Sequence, residues 1–127
     1  MGVRTKDNGI FVCTRRCLNN MKYQDFLPAD NCDPLFTIEG RNLIGCMVSS
    51  TLSYYKKFYV LPLNSIKEGK GTGVVTSVPA EAPDDYMAWR DLVNDEAARK
   101  KHNIPLEYVE PFKPVSKINR WPMNSFM

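Results

Sequence analysis

The sequence holds few of the residues that build metal sites and catalytic triads. His102 is the only histidine, and none of the four cysteines belongs to a Cys-x-x-Cys pair. Structural zinc usually takes four ligands in paired spacings, so we expect no metal site. We also expect no Ser/His/Asp or Cys/His triad, because His102 directly follows three basic residues and is better explained as a solvated side chain.

Long apolar stretches are missing as well. The longest mostly apolar run spans residues 58–63, which is too short to cross a bilayer. The opening stretch, MGVRTKDNG, lacks the apolar run of a secretory signal. We therefore expect no contact with a membrane. We expect the protein to be cytoplasmic and its four cysteines to be reduced thiols, and these are Cys13, Cys17, Cys32 and Cys46.

Neither sign of charge is in large excess. The chain carries 17 Lys and Arg against 14 Asp and Glu, whereas a dedicated nucleic-acid binder usually shows a dense basic stripe. This balance permits contact with nucleic acid without predicting it. A chain of 127 residues with 43% hydrophobic and 24% charged side chains is typical of one globular domain.

Two segments show the 3.6-residue periodicity of amphipathic helices. Residues 15–25 place Cys17, Leu18 and Met21 on one face, with Thr14 as the N-cap. Residues 84–103 repeat apolar side chains at three and four residues, with acids first and basic residues last. Runs of β-formers predict strands at residues 10–13 (buried), 36–38, 43–48, 52–63, 74–78 (central) and 106–109. The order of elements predicts an α/β or α+β fold with a mixed sheet.

The segment 52–63, LSYYKKFYVLPL, interleaves aromatic and basic residues. Such a mixture could form a stacking platform for nucleic-acid bases. The favoured interpretation is that the aromatic rings pack onto a core while Lys56 and Lys57 reach solvent.

The loop from Gly69 to Gly73, GKGTG, has three interpretations. A phosphate-binding loop is excluded, because neither the Walker spacing nor the dinucleotide fingerprint fits and a valine-rich segment follows where both motifs need a helix. A structural turn and the wall of a ligand pocket both remain open. On the residues alone the turn is favoured, since glycine supplies positive φ.

The predicted second helix begins with the acidic pair Asp84 and Asp85. Acids in a first helical turn are usually caps or complements of the helix dipole, and this is the favoured interpretation. Alternatively, one carboxylate faces a cleft and binds a cationic group such as an ammonium. Adjacent helix positions point about 100° apart, so the two acids are not an acid/base pair of the glycosidase kind.

The segment KGTGVVTSVPAEAPDDYMAWRDL closely resembles the editing-domain signature of the eukaryotic and archaeal leucyl-tRNA synthetases. Two further segments are similar to what precedes that signature in the same family, FVCTRRCLNNMKYQDF and SSTLSYYKKFYVLPLNSIKEGKGTG. The resemblance covers residues 9–112, so we interpret residues 1–112 as a partial editing domain and 113–127 as a tail or linker. It implies the barrel-like inserted connective-polypeptide domain of a class I synthetase.

The resemblance also implies an activity, the hydrolysis of the ester in mischarged tRNA-Leu after transfer. Asp85 would anchor the α-amino group of the substrate, with Asp84 at the rim. Water would attack the ester while the enzyme orients the substrate, and leucine would be excluded from the pocket. The partners would be the 3′ end of tRNA-Leu, the mischarged aminoacyl-adenosine and the remainder of the synthetase. The implied pocket lining is Gly71, Thr72, Gly73, Thr76, Val78, Pro79 and Ala80.

Some family motifs are not in this sequence. The threonine-rich motif, which supplies the leucine-excluding group, is expected upstream of residue 1. The synthetic signatures His-Ile-Gly-His and Lys-Met-Ser-Lys-Ser are also missing. ATP and magnesium are therefore expected only for the synthetic domain, and we expect no cofactor in this segment. The alternative function is a truncated, catalytically silent remnant that binds RNA ends or a protein partner.

Overall fold

The computed structural model describes residues 1–28 and 33–115. The chain divides into two compact units. The first joins residues 1–42 to residues 63–76, and the second joins residues 43–62 to the chain from residue 77 onward.

The first unit begins with an antiparallel pair of strands. Strand β1 (Gly2–Arg4) pairs with β2 (Ile10–Val12), with Val3 opposite Phe11. The connecting turn uses Asn8 at a positive φ of 64°. The Thr5 hydroxyl and the Gly9 backbone N–H donate to the Asp7 carboxylate. Both hydrogen bonds lower the pKa of Asp7, and the bond from the Thr5 hydroxyl has the larger effect.

Helix α1 (Arg15–Tyr23) confirms the first predicted helix, which ends two residues earlier than expected. Thr14 is its N-cap, and the Thr14 hydroxyl accepts from the Cys17 N–H at 3.4 Å. The helix stops where Asp25 takes a positive φ of 63°. Its apolar face lies in a core cluster as predicted, and the cluster contains Val3, Cys13, Cys17, Leu18, Met21 and Leu27.

The predicted burial of residues 10–13 is wrong for most of the segment. Ile10 is 55% exposed and Phe11 50%, and only Cys13 is buried. Within the described residues, β2 has β1 as its only neighbouring strand. In a two-stranded sheet each strand has a neighbour on one side only, and much of the apolar surface stays uncovered.

The second unit holds another antiparallel pair and two helices. Strand β3 (Met47–Ser49) pairs with β4 (Lys57–Tyr59), with Val48 opposite Phe58. Helices α2 (Pro83–Asn94) and α3 (Glu96–Lys101) follow. A short 3-10 helix lies at Leu106–Tyr108, and another, Gly40–Leu43, includes the last residues of the segment 1–42 and the first residue of the segment 43–62. The buried residues of this unit are Leu92, Ile104 and Val109, and the partly buried residues around them are Ile44, Leu61, Trp89, Val93 and Tyr108.

The predicted helix 84–103 is two helices that meet at Asp95. The Asp95 N–H donates to the Asp91 carbonyl and ends α2, while its carboxylate accepts from Ala97 N–H at 2.8 Å and Ala98 N–H at 3.1 Å. An aspartate satisfies the free N–H groups of a new helix better than it continues an old one. The apolar periodicity runs through the junction, which is why it predicts a single helix.

Several strand predictions are wrong because a pattern of β-formers does not say whether a pairing partner exists. At 36–38 there is only a single bridge, between Phe36 and Gly2. At 43–48, Gly45 has a φ of +83°, so a strand forms only after it. The segment 52–63 contributes only β4, the segment 74–78 forms no strand, and 106–109 is helical.

The fold is α+β, which agrees with the predicted fold class. The mixed sheet and the barrel are not present in residues 1–28 and 33–115, which hold two antiparallel pairs and no closed barrel. None of the helices described is both long and apolar enough to span a bilayer.

Candidate functional site

The glycine loop of the first unit consists of two successive turns. The Lys70 N–H donates to the Lys67 carbonyl at 3.0 Å, and the Gly73 N–H donates to the Lys70 carbonyl at 2.9 Å. Gly71 and Gly73 have φ values of +55° and +76°, in the left-handed region that favours glycine. The loop is therefore a structural turn, and that function does not conflict with a role as a pocket wall.

Thr14 links this loop to the start of α1. Its backbone N–H donates to the Thr72 carbonyl at 2.9 Å, and its hydroxyl donates to the Glu68 carbonyl at 3.4 Å. A Cβ on Gly73 would overlap the Thr14 methyl group and would lie 3.1 Å from the Thr14 Cβ. Sequence reasoning identified Thr14 only as a helix cap and missed these contacts, since nothing local in the sequence indicates them.

The two threonines of the predicted pocket wall are both exposed. The Thr72 hydroxyl donates to the Val74 carbonyl at 2.7 Å and accepts from the Val74 N–H at 3.3 Å. This local bond turns the chain after the loop. Thr76 ends the first unit with its side chain in solvent.

In the second unit, a closed turn precedes α2. The Val78 carbonyl accepts from both the Glu81 and the Ala82 N–H at 2.9 Å, while the Val78 N–H donates to Oδ2 of Asp85 at 2.8 Å. These bonds tie both ends of the segment 78–85 together. Pro79 is half-buried in this turn and Ala80 is exposed.

The acidic pair occupies the first turn of α2, as predicted. Ala82 is the N-cap and makes no side-chain capping bond, and Pro83 is the first helical residue. Asp84 is exposed and Asp85 is half-buried. Asp85 therefore accepts from the preceding loop instead of capping the helix, and within the described residues its Oδ1 accepts no hydrogen bond. A carboxylate oriented in this way can take a cationic group on its second oxygen.

The predicted site residues fall into two groups. Gly71, Thr72, Gly73 and Thr76 lie in the first unit. The second unit holds the remainder, which are Val78, Pro79, Ala80, Asp84 and Asp85. Each group is gathered on one loop or loop–helix junction of its own unit.

The aromatic residues of the segment 52–63 pack mainly against one another and against the later part of the second unit. Tyr59 stacks on Tyr108 with ring centroids 3.7 Å apart and an interplanar angle of 6°. Phe112 meets the edges of both Tyr55 and Tyr59, and the Tyr55 hydroxyl donates to a backbone carbonyl at 3.0 Å. This packing favours the core interpretation over the nucleic-acid platform.

The cysteines and the histidine form no cluster with acidic residues that could hold a metal ion, among the residues described. Cys13 and Cys17 are buried free thiols, and Cys46 is exposed. Burial raises the pKa of Cys13, and its neighbour Cys17 adds to the rise. His102 is the C-cap of α3, where its position was predicted, and Cys32 lies outside the described residues.

The chain is similar in sequence to known leucine–tRNA ligases. No protein-family model matches the chain. It is 44% identical over 119 residues to a cytoplasmic leucine–tRNA ligase of Pongo abelii, covering 93% of this chain and 10% of the relative. It is 42% identical over 113 residues to the Dictyostelium discoideum enzyme, covering 87% of this chain and 9% of that one. The chain thus spans about a tenth of the length of these curated relatives.

Solved structures identify which part of such an enzyme is similar. The crystal structure of GlLeuRS-CP1 aligns with a TM-score of 0.79 and 33% identity, covering 90% of this chain and 44% of that one. The editing domain of the P. knowlesi cytosolic leucyl-tRNA synthetase aligns with a TM-score of 0.71 and 25% identity, covering 85% and 46%. The chain therefore belongs to the leucyl-tRNA synthetase family, and the part of that family that it matches in structure is the editing domain.

Proposed function

We propose that this chain forms part of an editing domain that hydrolyses the ester of mischarged tRNA-Leu and so supports the fidelity of translation in the cytoplasm. The substrate is the 3′-terminal aminoacyl-adenosine. The remainder of the synthetase is its structural partner, and it supplies the facing wall of the pocket and completes the barrel. The aminoacylation reaction, which uses ATP and magnesium, belongs to that remainder. The editing step proposed for this segment needs no cofactor.

The observation that carries the proposal is the orientation of Asp85. The residue is half-buried, and one carboxylate oxygen accepts from the Val78 N–H at 2.8 Å while the other has no hydrogen-bond partner among the described residues. The α-ammonium group of an aminoacyl ester can donate a charge-assisted hydrogen bond to that second oxygen. Anchoring this group fixes the ester for attack by water, which is catalysis by orientation.

The other lining residues that the resemblance implies are small or weakly polar and carry no charge apart from Asp84. Gly71 and Gly73 carry no side chain, so a nucleoside can approach their backbone closely. The remaining lining groups are small or apolar and suit a small side chain and a ribose, and they are Thr72, Thr76, Val78, Pro79 and Ala80. Asp84 is exposed, which supports the proposed position at the rim.

Deacylation of mischarged tRNA-Leu tests the proposal, with this chain alone and with the rest of the editing domain added in trans. Asp85→Asn keeps an oxygen for the Val78 N–H but removes the charge, so we expect the hydrolysis rate to fall about a hundredfold with the fold retained. Asp84→Asn is the matched control, and we expect it to stay within about threefold of the wild-type rate.

The alternative is a silent remnant that binds RNA ends or a protein partner. Absence of deacylation in both arrangements, with the folded chain still present, would establish this alternative. Equal rates for wild type and Asp85→Asn would refute the proposed role of the aspartate.

A further inference from the structure

We propose that Thr14 is a positioning residue that sets the glycine loop at the start of α1, an inference that rests on the function proposed above. Three groups of this one residue meet the loop. The backbone N–H bonds the Thr72 carbonyl at 2.9 Å, the hydroxyl donates to the Glu68 carbonyl at 3.4 Å, and the methyl group fills the space that a Gly73 side chain would need.

The same hydroxyl also belongs to the helix. It accepts from the Cys17 N–H at 3.4 Å, so the donor and acceptor sides of one Oγ1 serve two different elements. The start of α1 is itself anchored, because Cys17, Leu18 and Cys13 lie in the buried cluster of the first unit. The backbone and side chain of Thr14 thus connect the loop to the buried core of the first unit.

Gly73 has two independent reasons to be glycine. Its φ of +76° disfavours any residue with a Cβ, and the Thr14 methyl group occupies the position of that Cβ. Gly71 has a φ of +55° but nothing within 4 Å of its Cβ position. The contact with Thr14, and not the turn alone, therefore distinguishes Gly73.

Two replacements of the Thr14 side chain separate its role as the N-cap of α1 from its contacts with the glycine loop. Thr14→Asp still caps α1, since aspartate is a good N-cap, but it cannot donate to the Glu68 carbonyl and has no methyl group. Thr14→Ser keeps both hydrogen bonds and loses only the methyl group. The readouts are hydrogen exchange of the Gly73 and Lys70 amides for the loop and of the Leu18 amide for the helix.

The second readout is affinity for 3′-alanylamino-3′-deoxyadenosine, an amide analogue of a mischarged terminal adenosine. For Thr14→Asp we expect about tenfold faster loop exchange, about tenfold weaker binding and an unchanged Leu18 amide. For Thr14→Ser we expect exchange and affinity within about threefold of wild type.

A double substitution tests the methyl contact. Gly73→Ala should accelerate loop exchange, and the acceleration should be about threefold smaller in the Thr14→Ser background, where the overlapping methyl group is gone. Equal acceleration in both backgrounds would mean that the two residues do not interact.

The two proposals fail in different ways. Loop exchange that is unchanged in Thr14→Asp overturns the positioning role, whatever the analogue does. Faster loop exchange with undiminished affinity for the analogue overturns it too, because the loop that Thr14 holds is then not part of the pocket. A wild-type protein that does not bind the analogue, even with the rest of the editing domain present, refutes the editing function itself.

Discussion

The backbone N–H of Val78 donates to Oδ2 of Asp85 across the turn that leads into α2, at an N···O distance of 2.8 Å. This bond explains why an acid in a first helical turn does not act as a cap here. The carboxylate closes the preceding loop and keeps its other oxygen available. Asp84, one residue earlier on the helix, makes no such bond within the described residues and is exposed.

The stability of the fold should require the glycine at position 71 because of its backbone conformation. Its φ is +55° and no atom lies within 4 Å of its Cβ position, so Gly71→Ala should cost about 1 kcal/mol of unfolding free energy through the left-handed backbone. Gly40→Ala is the matched control, because that position is equally open and has no positive φ. Urea denaturation of both variants measures the difference, and equal stabilities would contradict the assignment.

The core of the second unit should depend on Leu92. Its side chain is only 8% exposed and packs with Ile104 and Val109, so Leu92→Ala should lower the unfolding free energy by about 2–4 kcal/mol. Leu52 is 96% exposed, and Leu52→Ala should have no measurable effect on the same transition. Thermal unfolding of the two variants tests the expectation, which a similar cost for both would contradict.

The stability of the first unit should fall in mild alkali because of Cys13. Burial raises the pKa of this thiol above its ordinary value of 9.0. A folded-state pKa above the unfolded one contributes stability that is complete below the unfolded pKa and is lost as the pH rises through the folded value.

Urea unfolding of the reduced protein between about pH 7 and pH 10.5 measures this effect. The midpoint should decline above about pH 9 in the wild type and decline less in Cys13→Ala. Cys46→Ala removes an exposed thiol and should retain the wild-type decline. A decline of the same size in the wild type and in Cys13→Ala would exclude Cys13 as its source.

The parts of the fold that the sequence predicts well depend on local chemistry. Helix α1 follows from one capping threonine and three apolar residues at helical spacing, and all four behave as expected. The acidic start of the second helix follows equally from the helix dipole. Such signals need no knowledge of distant residues.

The strands were overpredicted because pairing is not local. Val74 is a good β-former, yet it is 51% exposed and forms no ladder, and Ile10 lies in a strand but is exposed. Whether a β-rich run becomes a buried strand depends on the partner available to it. The break at Asp95 was missed for another reason, since a capping aspartate and an interior aspartate look alike in a periodic pattern.

The candidate site was predicted from a resemblance more than from residues. Taken alone, the glycines indicate a turn and the acids a helix terminus, and the structure shows both of those local functions. The contacts that distinguish Gly73 from Gly71 and Asp85 from Asp84 come from Thr14 and Val78. They are not visible in either motif.

The anchoring of a substrate ammonium group by Asp85 is tested most directly by comparing two ligands on two proteins. The ligands are 3′-alanylamino-3′-deoxyadenosine and its N-acetyl derivative, which lacks the cation, and the proteins are wild type and Asp85→Asn, each with the rest of the editing domain present. The wild type should bind the cationic ligand about tenfold or more tightly than the acetylated one, and Asp85→Asn should bind the two equally. A preference for the cationic ligand that survives unchanged in Asp85→Asn would contradict the account.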